Sequence, residues 1–156
     1  MVAWILKKPS GVNLTSKPPE AFVFFVDRSL GKNAVASQLR DAGVRVEIHD
    51  DWFQPDAPDE AWLTSVGQRG WIVLTKDKRI QHRLIEQAAV VAASVRLFAL
   101  SGGNLTGTEM GAIFVKAHRR ISTCAQANRP PFIARVYRDG SVKIVMSHKQ
   151  LERRNR

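Results

Sequence analysis

Apolar runs, each cut short by a polar or charged residue, set the rhythm of the chain. Phe22-Val23-Phe24-Phe25-Val26 runs unbroken into Asp27, and Trp71-Ile72-Val73-Leu74 runs into Thr75-Lys76-Asp77. Continuous apolar runs of this length predict strands covered on both faces of a sheet. VRVEI (44–48) alternates instead, which predicts a strand nearer the edge, and VRLFALS (95–101) again reads as a strand before GGN. Between these runs the spacing turns helical. Val35, Leu39 and Ala42 recur at helical intervals, and Gly43 suits a left-handed stop after them. HDDWFQPDAPDE predicts a loop giving way to a helix capped by Asp56, with Pro58 early in it and Trp62 and Val66 one turn apart. Ile80, Leu84, Ala88 and Val91 step down one face of the next helix.

The C-terminal third carries the clearest local signals. Thr106 and Glu109 form an S/T-x-x-E capping box opening a long helix, with Met110, Ile113, Phe114, Ala117 and Ile121 on one stripe and Lys116 and Arg119 opposite. FIARVYRDGSVKIVM is two alternating runs around Asp139-Gly140, a β-hairpin. Residues 21–127 therefore read β-α-β-α-β-α-β-α, an α/β fold with a central parallel sheet between two helical layers, plus the hairpin. The expected divisions are an N-terminal arm (1–20) that pins Trp4, Ile5 and Leu6 to the surface, the α/β domain (21–128), the appended hairpin (129–148) and a mobile basic tail (149–156).

Charge narrows the choice of partner. Lys and Arg number 24 against 14 Asp and Glu, a net charge of +10 at pH 7. That excess favours a polyanion, nucleic acid before an acidic membrane surface or an acidic protein. With 156 residues, 44% of them hydrophobic, the chain fits one domain with a real core. The lone cysteine, Cys124, excludes an intrachain disulfide framework and reads as a small core residue. No apolar run reaches the ~20 residues that span a bilayer, and MVAWILKKPSG has the wrong order of charge for a signal peptide. A soluble cytoplasmic protein is expected.

The strand ends raise the chemistry. Ligands of an open parallel sheet sit beyond the carboxyl ends of its strands, where Asp27, Asp77 and the Ser101–Asn104 turn leave the sheet. Asp59 and Glu60 open the helix before the second buried strand. Carboxylates converging on one crevice repel unless a cation holds them, and hard oxygen donors select Mg²⁺ or Mn²⁺. Such a metal lowers the pKa of bound water and neutralises charge building on a phosphate. Lys76, Lys78 and Arg79 around Asp77, and Arg28 and Lys32 after Asp27, would then draw in the polyanion.

FFVDRSLG, PDEAWLTSVGQRGWIVLTKDKRI and LSGGN together resemble the PIN-domain family of metal-dependent ribonucleases, and especially the small VapC-type toxins of toxin–antitoxin pairs. The resemblance spans roughly residues 21–122; its most specific piece is the buried strand ending in T-x-D after a helix that opens with an acid. It implies a PIN-like catalytic domain whose metal ligands are Asp27, Asp59 (with Glu60 beside it) and Asp77, with Thr75 ordering the site. The fourth family position, often acidic, is Asn104 here, whose amide can still bind the metal or a metal-bound water but, being uncharged, weakens the case for a second metal. The resemblance also implies an RNA substrate, a small antitoxin partner that inserts a basic side chain or blocks the crevice, and dimerisation through helices or the hairpin.

Plainer readings stand beside these. Asp77 can cap the following helix, Asp27 can make an Asx turn, and Asp59 suits any helix N-terminus. Asp50 and Asp51 read as solvated loop residues, Glu109 as a capping residue, Asn104 as a turn former, and Lys116 and Arg119 as a solvated face. No two of the four histidines stand at ligand spacing. Two rival functions remain: a phosphoacceptor switch, for which ALSGGN lacks the required lysine, and a catalytically weak or inactive PIN-like module that binds nucleic acid or a partner.

Overall fold

Buried strands that are apolar on both sides must lie inside a sheet, and they do. The computed structural model describes residues 22–76 and 84–155, the side chains of 84–86 excepted. The expected N-terminal arm and the positions of Asp77, Lys78, Arg79 and Ile80 lie outside the described residues. Strands β1 (Val23–Val26), β2 (Arg45–Ile48), β3 (Ile72–Thr75), β4 (Arg96–Leu100), β5 (Phe132–Val136) and β6 (Val142–Met146) form one sheet in the order β2-β1-β3-β4-β5-β6. All neighbours are parallel except β5 and β6, the hairpin around Asp139-Gly140. The alternating VRVEI segment is an edge strand, as its pattern requires.

Alternation along each strand splits the core in two. Phe24, Val26, Ile72, Leu74, Phe98, Leu100, Phe132 and Ala134 face one side, against α1 (Ala34–Asp41) and α5 (Gly107–Ala127). Phe25, Val73, Leu97, Ala99 and Ile133 face the other, against α2 (His49–Trp52), α3 (Asp59–Gln68), α4 (Leu84–Ala93) and α6 (His148–Arg154). The α/β/α sandwich with its C-terminal hairpin is thus the architecture read from the pattern. The Thr106 capping box forms in full: Glu109 N–H donates to Thr106 Oγ1 (3.1 Å), and Thr106 N–H to Glu109 Oε1 (2.8 Å). Gly43 ends α1 at φ 87°, the left-handed geometry that a side chain would strain.

Four local expectations need correction. Ala42 is exposed at the end of α1 rather than packed on its stripe. Asp56 does not cap α3; Pro58 holds that position, its fixed backbone being compatible with a helix start, and Asp56 is exposed. On α4, Gln87, Val90 and Ala93 are buried while Ala88 is exposed, so the inward face is rotated from the expected one. LIEQAAVVAA is apolar nearly all round, so packing rather than pattern chooses its face. Finally, residues 148–154 are not a loose tail but helix α6. Ser147 and Gln150 cap it reciprocally and Leu151 is fully buried in the second core. A helix this short depends on such anchoring.

The α3–α4 contact is close enough to exclude a methyl group. A Cβ at Gly67 would collide with the backbone carbonyl oxygen of Ala93 and stand 3.3 Å from Val95 Cγ2. Backbone cannot swing aside as a long side chain does. Gly67→Ala is expected to destabilise the protein by about 1–3 kcal/mol, read from the midpoint of urea unfolding. An unchanged midpoint would contradict this approach of the two helices.

Candidate functional site

Register brings the first strand-end acid between two other strand ends. Val26 pairs with Leu74 of β3 on one side and Ile48 of β2 on the other. One residue further along each strand, Asp27 stands between Thr75 and His49, on the α3 side of the sheet. Its N–H donates to Leu74 O (3.0 Å), continuing the ladder past the strand end. Thr75 Oγ1 and Ser29 Oγ each donate to Asp27 Oδ2 at 2.8 Å, and the two hydroxyls lie 3.1 Å apart. Two hydroxyl hydrogens cannot serve three contacts. The ionised carboxylate is the strongest acceptor present, so it takes both, and Ser29 Oγ accepts the N–H of Lys76 at 3.0 Å. Asp27 Oδ1 accepts no hydrogen bond among the described residues. One oxygen is therefore clamped and the other is available to a cation.

The same register sets the next layer. Two residues beyond the Val26–Ile48 pair, Arg28 meets Asp50: Arg28 Nε lies 3.2 Å from Asp50 Oδ1, and Lys32 Nζ 3.0 Å from Asp50 Oδ2. Asp50 is thus not a solvated loop residue; its side chain is 17% exposed. Burial pushes its carboxyl pKa up, but hydrogen bonds from Lys32 and His49 with the charges of Lys32 and Arg28 prevail and hold it below the usual value. Arg28 and Lys32, the residues expected to meet phosphate, carry Asp50 between them with their own side chains 48% and 68% exposed, beside a pocket of about 250 Å³ lined by Val26, Ile48 and His49.

His49 is buried, 3% exposed, against the rings of Phe25 (6.2 Å), Phe53 (5.6 Å) and Trp62 (5.7 Å). Burial lowers its pKa; the hydrogen bond that its ring donates to Asp50 and the charges of Asp27 and Asp50 pull the other way without reversing it. His118 is lowered too, by burial and then by Arg119. Unfolded histidines take up a proton near pH 6.5, whereas these resist it when folded. Stability is therefore full above that pH and falls as pH drops below it. In EDTA, the melting temperature is expected to fall between pH 7.5 and 5.5 (about one unit either side of the free imidazole value), and His49→Gln to flatten that fall. An equally steep fall in the variant would contradict the assignment.

Asp59 is the first residue of α3, exposed, and its Oδ1 accepts the Trp62 indole N–H at 3.0 Å. Trp62 stacks on Phe25 (5.4 Å) and meets His49 edge-on. Since α3 connects parallel β2 and β3, its N-terminus lies at the carboxyl edge of the sheet, on the side that bears Asp27 and Thr75. Glu60 follows, exposed. Asn104 sits in an exposed turn at φ 56°, as a turn former does. Thr75 is buried, and Lys76 is half-buried with its backbone tied to Ser29. Asp77, Lys78 and Arg79 lie outside the described residues, among which no three His, Cys, Asp or Glu side chains form a metal-sized group.

Two residues escaped the reading of the sequence. Ser29 needed only the D-x-S spacing at the end of a buried strand. Asp50 is itself an acid just past a strand end, in VRVEIHD, the same signal that marked Asp27 and Asp77. Cys124, as expected, packs against the first core, and burial raises its thiol pKa.

The chain is 29% identical over 125 residues to the Mycobacterium tuberculosis protein named "Putative ribonuclease VapC45", covering 78% of this chain and 90% of the relative. No solved structure matches. No helix among the described residues is long and apolar enough to cross a membrane. Residues 22–102, just over half of the chain and the segment holding Asp27, Asp59, Thr75 and Asp77, match the family described as a PIN like domain, and the chain belongs to that family.

Proposed function

We propose that the protein is a metal-dependent endoribonuclease that hydrolyses RNA phosphodiesters in the cytoplasm, as the toxin of a type II toxin–antitoxin pair. The observation that carries this reading is the half-clamped carboxylate: Asp27 Oδ2 is fixed by Ser29 and Thr75 while Oδ1, at the carboxyl edge of the sheet, accepts no hydrogen bond among the described residues. A carboxylate that only shaped a turn would have no need of a buried threonine from another strand. The relative named as a ribonuclease and the +10 charge support the same substrate.

In this reading Asp27, Asp59 and Asp77 hold one Mg²⁺ or Mn²⁺, with Asn104 at most an outer neutral donor. The donor set is all hard oxygen, which fits either ion. The bound ion supplies Lewis acidity for phosphodiester hydrolysis. Thr75 and Ser29 hold Asp27 in a single rotamer, and the Trp62 indole holds Asp59 through one oxygen, leaving its other oxygen for the ion. Lys76, Lys78 and Arg79 bind the RNA backbone. Arg28 and Lys32 act mainly by fixing Asp50, with part of their charge still felt at the rim. A small antitoxin would silence the enzyme by covering this acidic crevice, and two copies would associate through helices or the hairpin.

The second reading, a PIN-like module that binds without cutting, is favoured by the neutral, exposed Asn104. Metal removal separates the two. EDTA is expected to abolish RNA cleavage, and excess Mg²⁺ or Mn²⁺ to restore it, with RNA binding retained throughout. Cleavage that persists in EDTA would contradict the nuclease reading; salt-sensitive binding with no cleavage under any metal would favour the module.

A further inference from the structure

The hairpin lies beyond the segment matched to the family, and it builds a groove of its own. Between the end of β4 and the β5–β6 turn, Ser101, Gly102, Tyr137, Arg138, Ser141 and Lys143 line a cavity of about 700 Å³. One of its two cations, Arg138, is held by the loop. Arg138 donates from Nη2 to Gly103 O (3.0 Å), and a Cβ on Gly102 would stand only 3.1 Å from Arg138 Nε, so guanidinium and loop pack directly together. The one acid of the wall, Asp139, is committed to the turn: its Oδ1 accepts from Ser141 N (2.9 Å) and Ser141 Oγ (2.6 Å). From behind, Arg120 of α5 donates to Gly140 O (3.1 Å) and steadies the turn.

Strand parity aligns this groove with the acidic rim. Asp27 follows Phe25, Thr75 follows Val73, Ser101 follows Ala99 and Tyr137 follows Ile133 at even spacing, all of them on the α3 side. These residues end four neighbouring parallel strands in the order β1-β3-β4-β5. Strands sit about 4.8 Å apart, so Tyr137 lies three steps, roughly 14 Å, along the rim from Asp27. Lys143, paired with Arg135, extends the same face by one strand.

We infer that this groove is a subsite for single-stranded RNA, taking the strand beyond the scissile phosphate, with the Tyr137 ring stacking on a base and Arg138 and Lys143 on phosphates. The inference rests on the ribonuclease reading for its substrate class. An aromatic platform flanked by two cations, Arg138 held by the loop and Lys143 exposed beside it, is what sequence-tolerant single-strand binding needs.

The test is fluorescence anisotropy of a labelled single-stranded oligoribonucleotide with the full chain in EDTA. Tyr137→Leu is expected to weaken binding about 5- to 150-fold, and Tyr137→Phe to bind like the parent. Arg138→Gln combined with Lys143→Gln is expected to flatten the slope of log affinity against log salt by about 1.4, two phosphate contacts' worth. Unchanged affinity in Tyr137→Leu with an unchanged salt slope in the double variant overturns the inference, even if binding of a protein partner is lost. Equal loss in Tyr137→Phe overturns it as well. EDTA keeps this readout apart from catalysis: weakened variants of a protein that never cleaves support the groove and count against the nuclease. Unaffected binding beside active cleavage does the reverse.

Discussion

Asp27→Asn is expected to lower metal-dependent RNA cleavage by at least ~100-fold, the several kcal/mol that a metal site supplies to charge stabilisation, while unfolding stays cooperative. The substitution is nearly isosteric, and the hydroxyl network decides which end of the amide goes where. Thr75 and Ser29 both donate to the clamped oxygen, so the asparagine oxygen takes that place and the amide nitrogen takes the place of Oδ1. An amide nitrogen offers a cation no lone pair. The variant therefore loses both a charge and a ligand atom, although its contacts to the protein survive. Cleavage within a few-fold of the parent would show that Asp27 shapes a turn and does no more.

The second large effect is on stability. Phe25 is fully buried, one residue before the strand ends at Val26, and four rings surround it: Trp62 (5.4 Å), Trp71 (6.0 Å), Phe53 (6.0 Å) and His49 (6.2 Å). Truncation to alanine removes the ring on which all four pack, and a sheet-backed site collapses little. Phe25→Ala is expected to cost about 3–5 kcal/mol, a drop of roughly 6–20 °C in melting temperature for a domain of this size. Phe25→Leu, which keeps more volume, should cost clearly less. Because Trp62 holds Asp59 and His49 flanks Asp27, RNA cleavage by Phe25→Ala should fall even at temperatures where it remains folded. A melting temperature within 2–3 °C of the parent, about 1 kcal/mol, would contradict this account of the core.

How far the sequence could be read follows from the range of each signal. Strand runs, the Thr106 capping box and the Asp139-Gly140 hairpin are local, and each appears where its pattern put it. The meeting of Asp27 and Thr75 was also within reach, because both end continuous apolar strands and neighbouring parallel strands bring their ends together. Asp50 illustrates the limit. Its partners are residues 28 and 32, just past the end of β1, and only the β1–β2 register reveals that Arg28 and Asp50 stand opposite each other. Composition showed the cations there but not the carboxylate that lies between them.

The two misread helices fail for different reasons. On α4 nearly every residue is apolar, so periodicity cannot choose among faces, and close packing at Gly67 and Ala93 makes the choice. On α6 a single apolar residue, Leu151, carries the anchoring in a basic stretch that otherwise looks unstructured. Its serine cap was legible, but one buried leucine gives no period to detect.

In the proposed nuclease, strand-end and helix-end aspartates gather around one divalent cation at the carboxyl rim of the sheet. Anomalous diffraction from crystals soaked in Mn²⁺ tests it most directly. A single strong peak is expected about 2.0–2.2 Å from Asp27 Oδ1, with oxygens of Asp59 and Asp77 completing the protein side of the shell. A peak elsewhere, or none while Asp27 Oδ1 faces bulk water, would contradict it.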